Sequence, residues 1–175
     1  PMNLTPTASS TATLAMGDAL AMAVLEASGF REEDFARFHP GGALGRRLRR
    51  VGDLMSTGDA APKVEEGAPL REVVREIGDK RLGMTCVVDA GGELLGVVTD
   101  GDLRRALERP EGIGGNSAGD LMTRSPKTIG PNEMAAAALQ MMEASAITSL
   151  IVVGADNGRI EGVIHLHHLL RAGVV

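Results

Sequence analysis

Three residues in the middle of the chain, Gly96, Thr99 and Asp102, have the types and the spacing of a small-molecule binding site. They occur in GVVTDGDLRRAL (96–107), an apolar run followed by a turn and a helical pattern, which predicts a strand leading into a helix. Helix N-terminal amides can meet a phosphate, and an ionised aspartate can accept hydrogen bonds from both ribose hydroxyls, with Thr99 assisting. The pattern favours a nucleotide or ribose site. The alternative is that Asp100 or Asp102 only caps the helix.

A second copy of this pattern, GVIHLHHLLRAG (162–173), places Gly162, His165 and His168 where the first has glycine, threonine and aspartate. A neutral imidazole can still bond a hydroxyl, but the charge of the aspartate is lost. We therefore predict two unequal half-sites, the first being the better nucleotide site. The spacing of His165, His167 and His168 is no standard zinc pattern and no cysteine is near, so we expect a surface or interface cluster and no metal.

Arg104 and Arg105 follow Asp102 in the first turns of the predicted helix. The simplest interpretation is a solvated face, and the alternative is that one of them contacts a phosphate. The basic run at residues 46, 47, 49 and 50 is most simply a solvated linker, or else an inter-domain contact.

An internal duplication positions these residues. The string GDLM occurs at 52–55 and again at 119–122, and the two glycine-led runs are displaced by nearly the same interval. Such a repeat indicates two copies of one structural unit. Each copy has a helical pattern, two short strands and a final helix, for example the helix carrying Leu70, Val73, Val74 and Ile77. The predicted order of each repeat is β-α-β-β-α, with residues 110–119 as a turn-rich linker.

The composition limits the function classes. Apolar residues make up 43% but aromatics only 2%, so the core must be aliphatic and bases have no stacking platform. With a net charge of −5, we expect no nucleic-acid partner. The single cysteine, Cys86, lies in an apolar run and is expected to be buried in a reducing compartment. No signal peptide is evident and no apolar stretch approaches the roughly 20 residues of a membrane span, so we expect a cytoplasmic protein.

The N-terminal segment stands outside the repeats. Its Ser/Thr cluster around Thr7, Ser9, Ser10 and Thr11 predicts helix caps, and Gly29 a helix end, for a buried helix at about 12–28. A short acidic helix is expected over REEDFARF, and irregular structure over HPGGALGRRLRR. Because the chain opens without methionine, we expect it to be a fragment.

With these motifs in place, the repeats resemble a pair of CBS domains packed as a pseudo-two-fold Bateman module, of mixed α/β (α+β) class. The N-terminal segment, through HPGGALGR, and the C-terminal LLRAGVV resemble bacterial D-arabinose-5-phosphate isomerases, in which a CBS pair follows a sugar-isomerase (SIS) domain. The resemblance implies three parts: an SIS remnant at 1–50, a first CBS domain at 51–109 and a second at 118–175.

The same resemblance implies the chemistry. The parent enzyme would interconvert D-arabinose 5-phosphate and D-ribulose 5-phosphate for Kdo and lipopolysaccharide synthesis, with His39 serving an active site in the intact enzyme. The present chain would be inactive and need no cofactor. It would sense a nucleotide, either CMP-Kdo or an adenine nucleotide such as AMP or ATP, and associate as a homodimer or tetramer. The alternative is a purely structural dimerisation module without a ligand.

Overall fold

The computed structural model describes residues 6–31, 34, 45, 48–108, 114–154 and 158–174. The chain divides into two compact units, Pro1–Gly45 and Arg46–Val175. Most of the predicted acidic helix (all but Arg31 and Asp34), the HPGG segment with His39, and Arg46 and Arg47 lie outside the described residues. The first unit contains one described helix, α1 (Ala8–Ala27), which ends with Gly29 at a φ of 66°, as predicted.

The start and the burial of α1 differ from the expectation. The helix begins at Ala8, and so includes hydroxyl residues that were predicted to cap it. The Ser10 hydroxyl donates to the Pro6 carbonyl and the Thr11 hydroxyl to the Thr7 carbonyl, one turn back. Thr7 is the N-cap residue but makes no side-chain capping bond, so the predicted hydroxyl caps are wrong. None of the residues of α1 is buried.

The expectation that no stretch reaches membrane-spanning length is also wrong for α1. Its 20 residues are long and apolar enough to cross a bilayer by length and composition. One such helix near an N-terminus is weak evidence, since core helices of soluble proteins meet the same criteria.

The second unit contains the two repeats. The first comprises β1 (Ser56–Thr57), β2 (Lys63–Glu65), α2 (Leu70–Lys80), β3 (Met84–Val88), β4 (Leu94–Thr99) and α3 (Asp100–Leu107). The second comprises α4 (Ala118–Leu121), β5 (Thr123–Arg124), β6 (Thr128–Ile129), α5 (Ala135–Ser145), β7 (Ser149–Val153), β8 (Ile160–His165) and α6 (Leu166–Arg171). The predicted β-α-β-β-α order is confirmed from β2 to α3 and from β6 to α6. The short strands β1 and β5 and the helix α4, which begins inside the predicted linker, were not predicted.

The first strand of each repeat pairs with the sheet of the other repeat. One sheet has the order β2-β3-β4-β5 and the other β1-β8-β7-β6. Thus β5, which follows the second GDLM, pairs antiparallel with β4 of the first repeat, and β1, which follows the first GDLM, pairs with β8 of the second. Each GDLM string therefore precedes a strand that is exchanged between the two repeats.

The exchanged strands require glycine at the position they cross. A β-carbon placed on Gly96 would lie 2.7 Å from both the Met122 sulfur and the Thr123 carbonyl oxygen. On Gly162 it would lie 2.9 Å from the Met55 sulfur and against the Ser56 carbonyl oxygen. Each glycine therefore receives the final methionine of the GDLM string from the opposite repeat.

Aliphatic side chains fill three buried clusters. Two of them follow the strand exchange: one is built mostly of second-repeat residues and includes Val51, and the other is built mostly of first-repeat residues and includes Ala118 and Leu121. The third joins the repeats and contains Ala61, Leu82, Met84 and Cys86 from the first and Ile151 and Val163 from the second. Cys86 is fully buried, as predicted, and burial raises the pKa of its thiol to about 12. In α2, Val73 and Ile77 enter the core, whereas Val74 remains about half exposed.

Candidate functional site

An open cleft of about 760 Å³ is lined by residues of both repeats. The turn from β4 to α3 contributes Thr99–Asp102, and α3 adds Arg105. The second repeat contributes the segments 125–127 and 146–149 together with His165. The volume lies within the range of small-molecule sites in proteins. The cleft therefore combines the predicted Thr99–Asp102 site with a surface from the other repeat.

A capping box fixes the turn between β4 and α3. The Asp102 backbone N–H donates to Thr99 Oγ1 at 3.2 Å, while the Thr99 N–H donates to Asp102 Oδ2 at 2.8 Å. Thr99 Oγ1 also lies 2.6 Å from the same carboxylate oxygen. Asp102 therefore takes part in the cap of α3, because these bonds satisfy backbone groups that the first turn of the helix leaves unpaired.

The second oxygen of Asp102 is also occupied. Arg105 donates from Nη2 to Oδ1, and Thr123 Oγ1 lies 3.2 Å from the same atom. Burial by itself would raise the pKa of Asp102, but the hydrogen bonds from Thr99 and the bond and charge of Arg105 hold it below its usual range. The residue is ionised at neutral pH, with only 7% of its surface exposed. Because Thr123 belongs to the exchanged strand β5, Asp102 links the two repeats.

Two histidines form the corresponding turn before α6. The His165 backbone N–H donates to His168 Nδ1 at 3.2 Å, and the His167 N–H donates to His165 Nδ1 at 3.1 Å. A nitrogen that accepts a hydrogen bond carries no proton, so both rings are neutral with the proton on Nε2. Burial, followed by electrostatic interactions with His167, His165 and Arg171, lowers the pKa of His168 to about 4. The pKa of His165 is also lowered, first by burial and then by His167.

The three imidazoles are close together, with ring centroids 4.5 Å apart for His165 and His167 and 4.3 Å apart for His167 and His168. Among the described residues, no group of three or more histidine, cysteine or acidic side chains has a geometry that could hold a metal ion.

Only some of the predicted site residues line the cleft. Thr99, Asp102 and His165 line the cleft, whereas Gly96 and His168 are not among its lining residues. Gly96 instead accommodates Met122 at the strand exchange, and His168 caps α6. His39 falls outside the described residues.

Several cleft residues were not predicted from the sequence. Ser125 and Lys127 enter from the loop after β5, and Thr148 and Ser149 from the start of β7. Ser125 has a φ of 54°, a left-handed conformation that is uncommon outside glycine, and so marks a constrained loop. The one usable signal was SPK (125–127), which follows the second GDLM after two intervening residues, because the strand exchange carries that loop to the Thr99–Asp102 turn.

The fold and the cleft define the class of protein. The CBS domain family matches residues 51–109 and 118–175, and the chain belongs to this family. Over its whole length the chain is also similar to arabinose 5-phosphate isomerase KdsD, with 49% identity to that of Escherichia coli K12, 48% to that of Yersinia pestis and 50% to that of Pseudomonas aeruginosa PAO1. The chain spans about half the length of these relatives, 53–54%, and matches their C-terminal part. The predicted resemblance is therefore confirmed.

Solved structures agree on the fold. The chain is similar to CBSX2 in complex with AMP, with a TM-score of 0.62 and 23% identity over 71% of this chain and 96% of that one. The CBS pair of MJ0100, in complex with 5′-methylthioadenosine and S-adenosyl-L-methionine, gives a TM-score of 0.62 at 21% identity over 71% of this chain and 94% of that one. The predicted tandem CBS fold is confirmed.

Proposed function

We propose that this CBS pair is the nucleotide-sensing, regulatory part of an arabinose 5-phosphate isomerase. The observation that carries the proposal is the cleft that brings the buried, ionised Asp102 together with Lys127 of the other repeat. A carboxylate suits the hydroxyls of a ribose, and an ammonium group suits a phosphate. The full-length similarity to the isomerases and the nucleosides and nucleotides bound by the structural neighbours support the same assignment.

Two kinds of ligand fit this chemistry. An adenine nucleotide such as AMP or ATP is one, by analogy with the AMP complex of CBSX2. The other is CMP-Kdo, an end product of the pathway that the parent enzyme would feed. Both present a ribose diol to Asp102 and an anionic phosphate to the second-repeat face of the cleft. The first half-site is the principal one, because His165 and His168 replace the threonine and aspartate in the second.

The parent enzyme would convert D-arabinose 5-phosphate to D-ribulose 5-phosphate in the cytoplasm, for Kdo and lipopolysaccharide synthesis. Within it, residues 1–50 would complete the SIS domain, and 51–109 and 118–175 would form the CBS pair. Isomerisation moves a proton between adjacent carbons, and a group that titrates near neutrality, such as His39, suits that task. The chain alone should show no isomerase turnover, because the relatives have a further half of their length to supply the reaction.

The competing proposal is a dimerisation module without a ligand, assembling homodimers or tetramers. One observation favours it: both oxygens of Asp102 already bond to protein groups, so the residue needs no ligand to complete its hydrogen bonds. Exposed Leu107 and Leu170, on the final helices of the two repeats, offer apolar surface for association.

Thermal unfolding separates the two proposals. A ligand that binds only the native state raises the midpoint, so AMP, ATP, CMP or CMP-Kdo should raise it in the wild-type chain. The Asp102→Ala variant should lose the shift. Asp120→Ala is a matched control, because Asp120 makes the same capping box with Ser117 at 2.8 and 2.7 Å and does not line the cleft. Asp120→Ala should keep the shift, and absence of any shift in the wild type would favour the ligand-free module.

A further inference from the structure

We propose that Arg105 is an exchangeable latch: it holds Asp102 in the free protein and transfers to the phosphate when a nucleotide binds. The inference rests on the proposed function, which places a ribose at Asp102. It adds the prediction that Arg105, together with Lys127, makes the cleft select nucleoside phosphates over the corresponding nucleosides.

Asp102 has no spare acceptor capacity in the free protein. A carboxylate offers about four lone-pair positions. Oδ2 takes the Thr99 N–H and hydroxyl, at 2.8 and 2.6 Å, and Oδ1 takes Arg105 and the Thr123 hydroxyl. A ribose hydroxyl can therefore bond to Asp102 only if one of these donors leaves.

Arg105 is the donor that leaves at the lowest cost. The two Thr99 bonds belong to the capping box, and losing them would fray the start of α3. The Thr123 hydroxyl is on the backbone-paired strand β5. Arg105, in contrast, has a side chain that is 63% exposed, so water and an alternative anion can both replace its contact with Asp102. The pair is exposed at its guanidinium end only, and a ribose hydroxyl would replace that donor at the buried Oδ1 atom of Asp102.

The released guanidinium finds a new partner in the phosphate of the same ligand. Arg105 and Lys127 are the two lysine or arginine side chains among the cleft-lining residues, and they come from opposite repeats. Asp100 and Asp102 are the two carboxylates there, so the cleft is close to neutral when empty. Once a ribose diol takes over the Oδ1 position, Arg105 lies a side chain's reach from a phosphate on the same ligand. Guanidinium groups pair with phosphate in bidentate fashion, which replaces the lost contact with Asp102.

Arg104 supplies the contrast within the same helix. It is adjacent to Arg105 in sequence, but it is exposed and does not line the cleft, and among the described residues Arg105 is the arginine that pairs with Asp102. The 100° rotation between adjacent helical residues turns it away from the site. Of the two arginines singled out by the sequence, the structure therefore favours Arg105 as the phosphate contact.

The test measures affinities for two ligand pairs, AMP with adenosine and CMP with cytidine, by calorimetry. Arg105→Met retains an unbranched, flexible side chain of similar helix propensity and removes the hydrogen-bond donors. Because adenosine or cytidine no longer displaces an ion pair, each should bind about two- to fivefold more tightly to the variant than to the wild type. The matching monophosphate should bind about tenfold more weakly, because a charge-assisted bond is lost.

The controls keep the result interpretable. Arg104→Met should leave both affinities unchanged, and Arg105→Lys, which retains the charge but not the fork, should weaken the monophosphate less than Arg105→Met does. If Arg105→Met changes nucleoside and nucleotide affinities by the same factor, the latch is wrong while nucleotide sensing stands. If the wild type binds none of the four compounds, the latch is overturned, and nucleotide sensing falls with it only if ATP and CMP-Kdo also leave the melting midpoint unchanged.

Discussion

Gly96 lies directly against Met122, so that a β-carbon at position 96 would fall 2.7 Å from the methionine sulfur. The two residues belong to the two landmarks of the duplicated sequence: the glycine opens the first GVV run, and the methionine closes the second GDLM. Gly162 and Met55 repeat the contact in the other sheet. The GDLM string and the glycine-led run therefore keep the same spacing in both repeats, because the methionine of each GDLM packs against the glycine of the other repeat.

We expect Gly96→Ala to reduce the free energy of unfolding by roughly 1–3 kcal/mol, the usual cost of overpacking a tight contact. The β-carbon would meet the Thr123 carbonyl oxygen as well as the flexible Met122 side chain, and the backbone oxygen cannot move without disturbing β5. Urea denaturation measures the change. Gly67→Ala is the control, since a β-carbon there meets nothing within 4 Å, and an equal loss in both variants would contradict the proposed contact.

Because His168 caps α6 in its neutral form, we expect the free energy of unfolding to fall in acid. His168 has its ordinary pKa of 6.5 in the unfolded chain and a pKa of about 4 in the folded one, so below pH 6.5 the unfolded chain binds the extra proton. This contribution to stability is complete above pH 6.5 and is lost as the pH falls from 6.5 to 4. Urea denaturation between pH 7.5 and 4 should show that decline.

His168→Gln tests the origin of the decline. Glutamine is a capping-box residue, so its amide oxygen can accept the His165 N–H without titrating. The variant should therefore fold at neutral pH and show a shallower loss of stability between pH 6.5 and 4. A decline as steep as that of the wild type would assign the effect to other groups.

Cys86 should be unreactive in the folded protein. It is fully buried in the cluster that joins the two repeats, and burial raises the pKa of its thiol to about 12, which leaves little thiolate at neutral pH. Modification by a thiol reagent should proceed only as fast as the chain unfolds, and become rapid in denaturant. Fast labelling of the native protein would contradict the burial of this residue.

The local features of the sequence predicted most of the fold. The turn at Thr99–Asp102 could be predicted because a strand, a turn and a capped helix are all encoded within a few neighbouring residues. The role of Gly96 could not, because the methionine that excludes a side chain there lies 26 positions away at residue 122. Lys127 was missed for the same reason, since only the exchanged strand β5 brings its loop to Asp102.

At the start of α1 the prediction was wrong for a local reason. Ser and Thr commonly cap helices, yet here Ser10 and Thr11 bond to carbonyls one turn earlier and extend the helix. The sequence alone does not decide between the two local bonds, because both satisfy the same hydroxyl.

The most direct test of nucleotide sensing is a calorimetric titration of the chain with whichever of AMP, ATP, CMP and CMP-Kdo raises its melting midpoint. We predict one principal binding event per chain, since one of the two half-sites retains threonine and aspartate. We also predict that Asp102→Ala abolishes it while Asp120→Ala leaves it intact. Binding that survives in Asp102→Ala with unchanged affinity, or two equal sites per chain, would contradict the account.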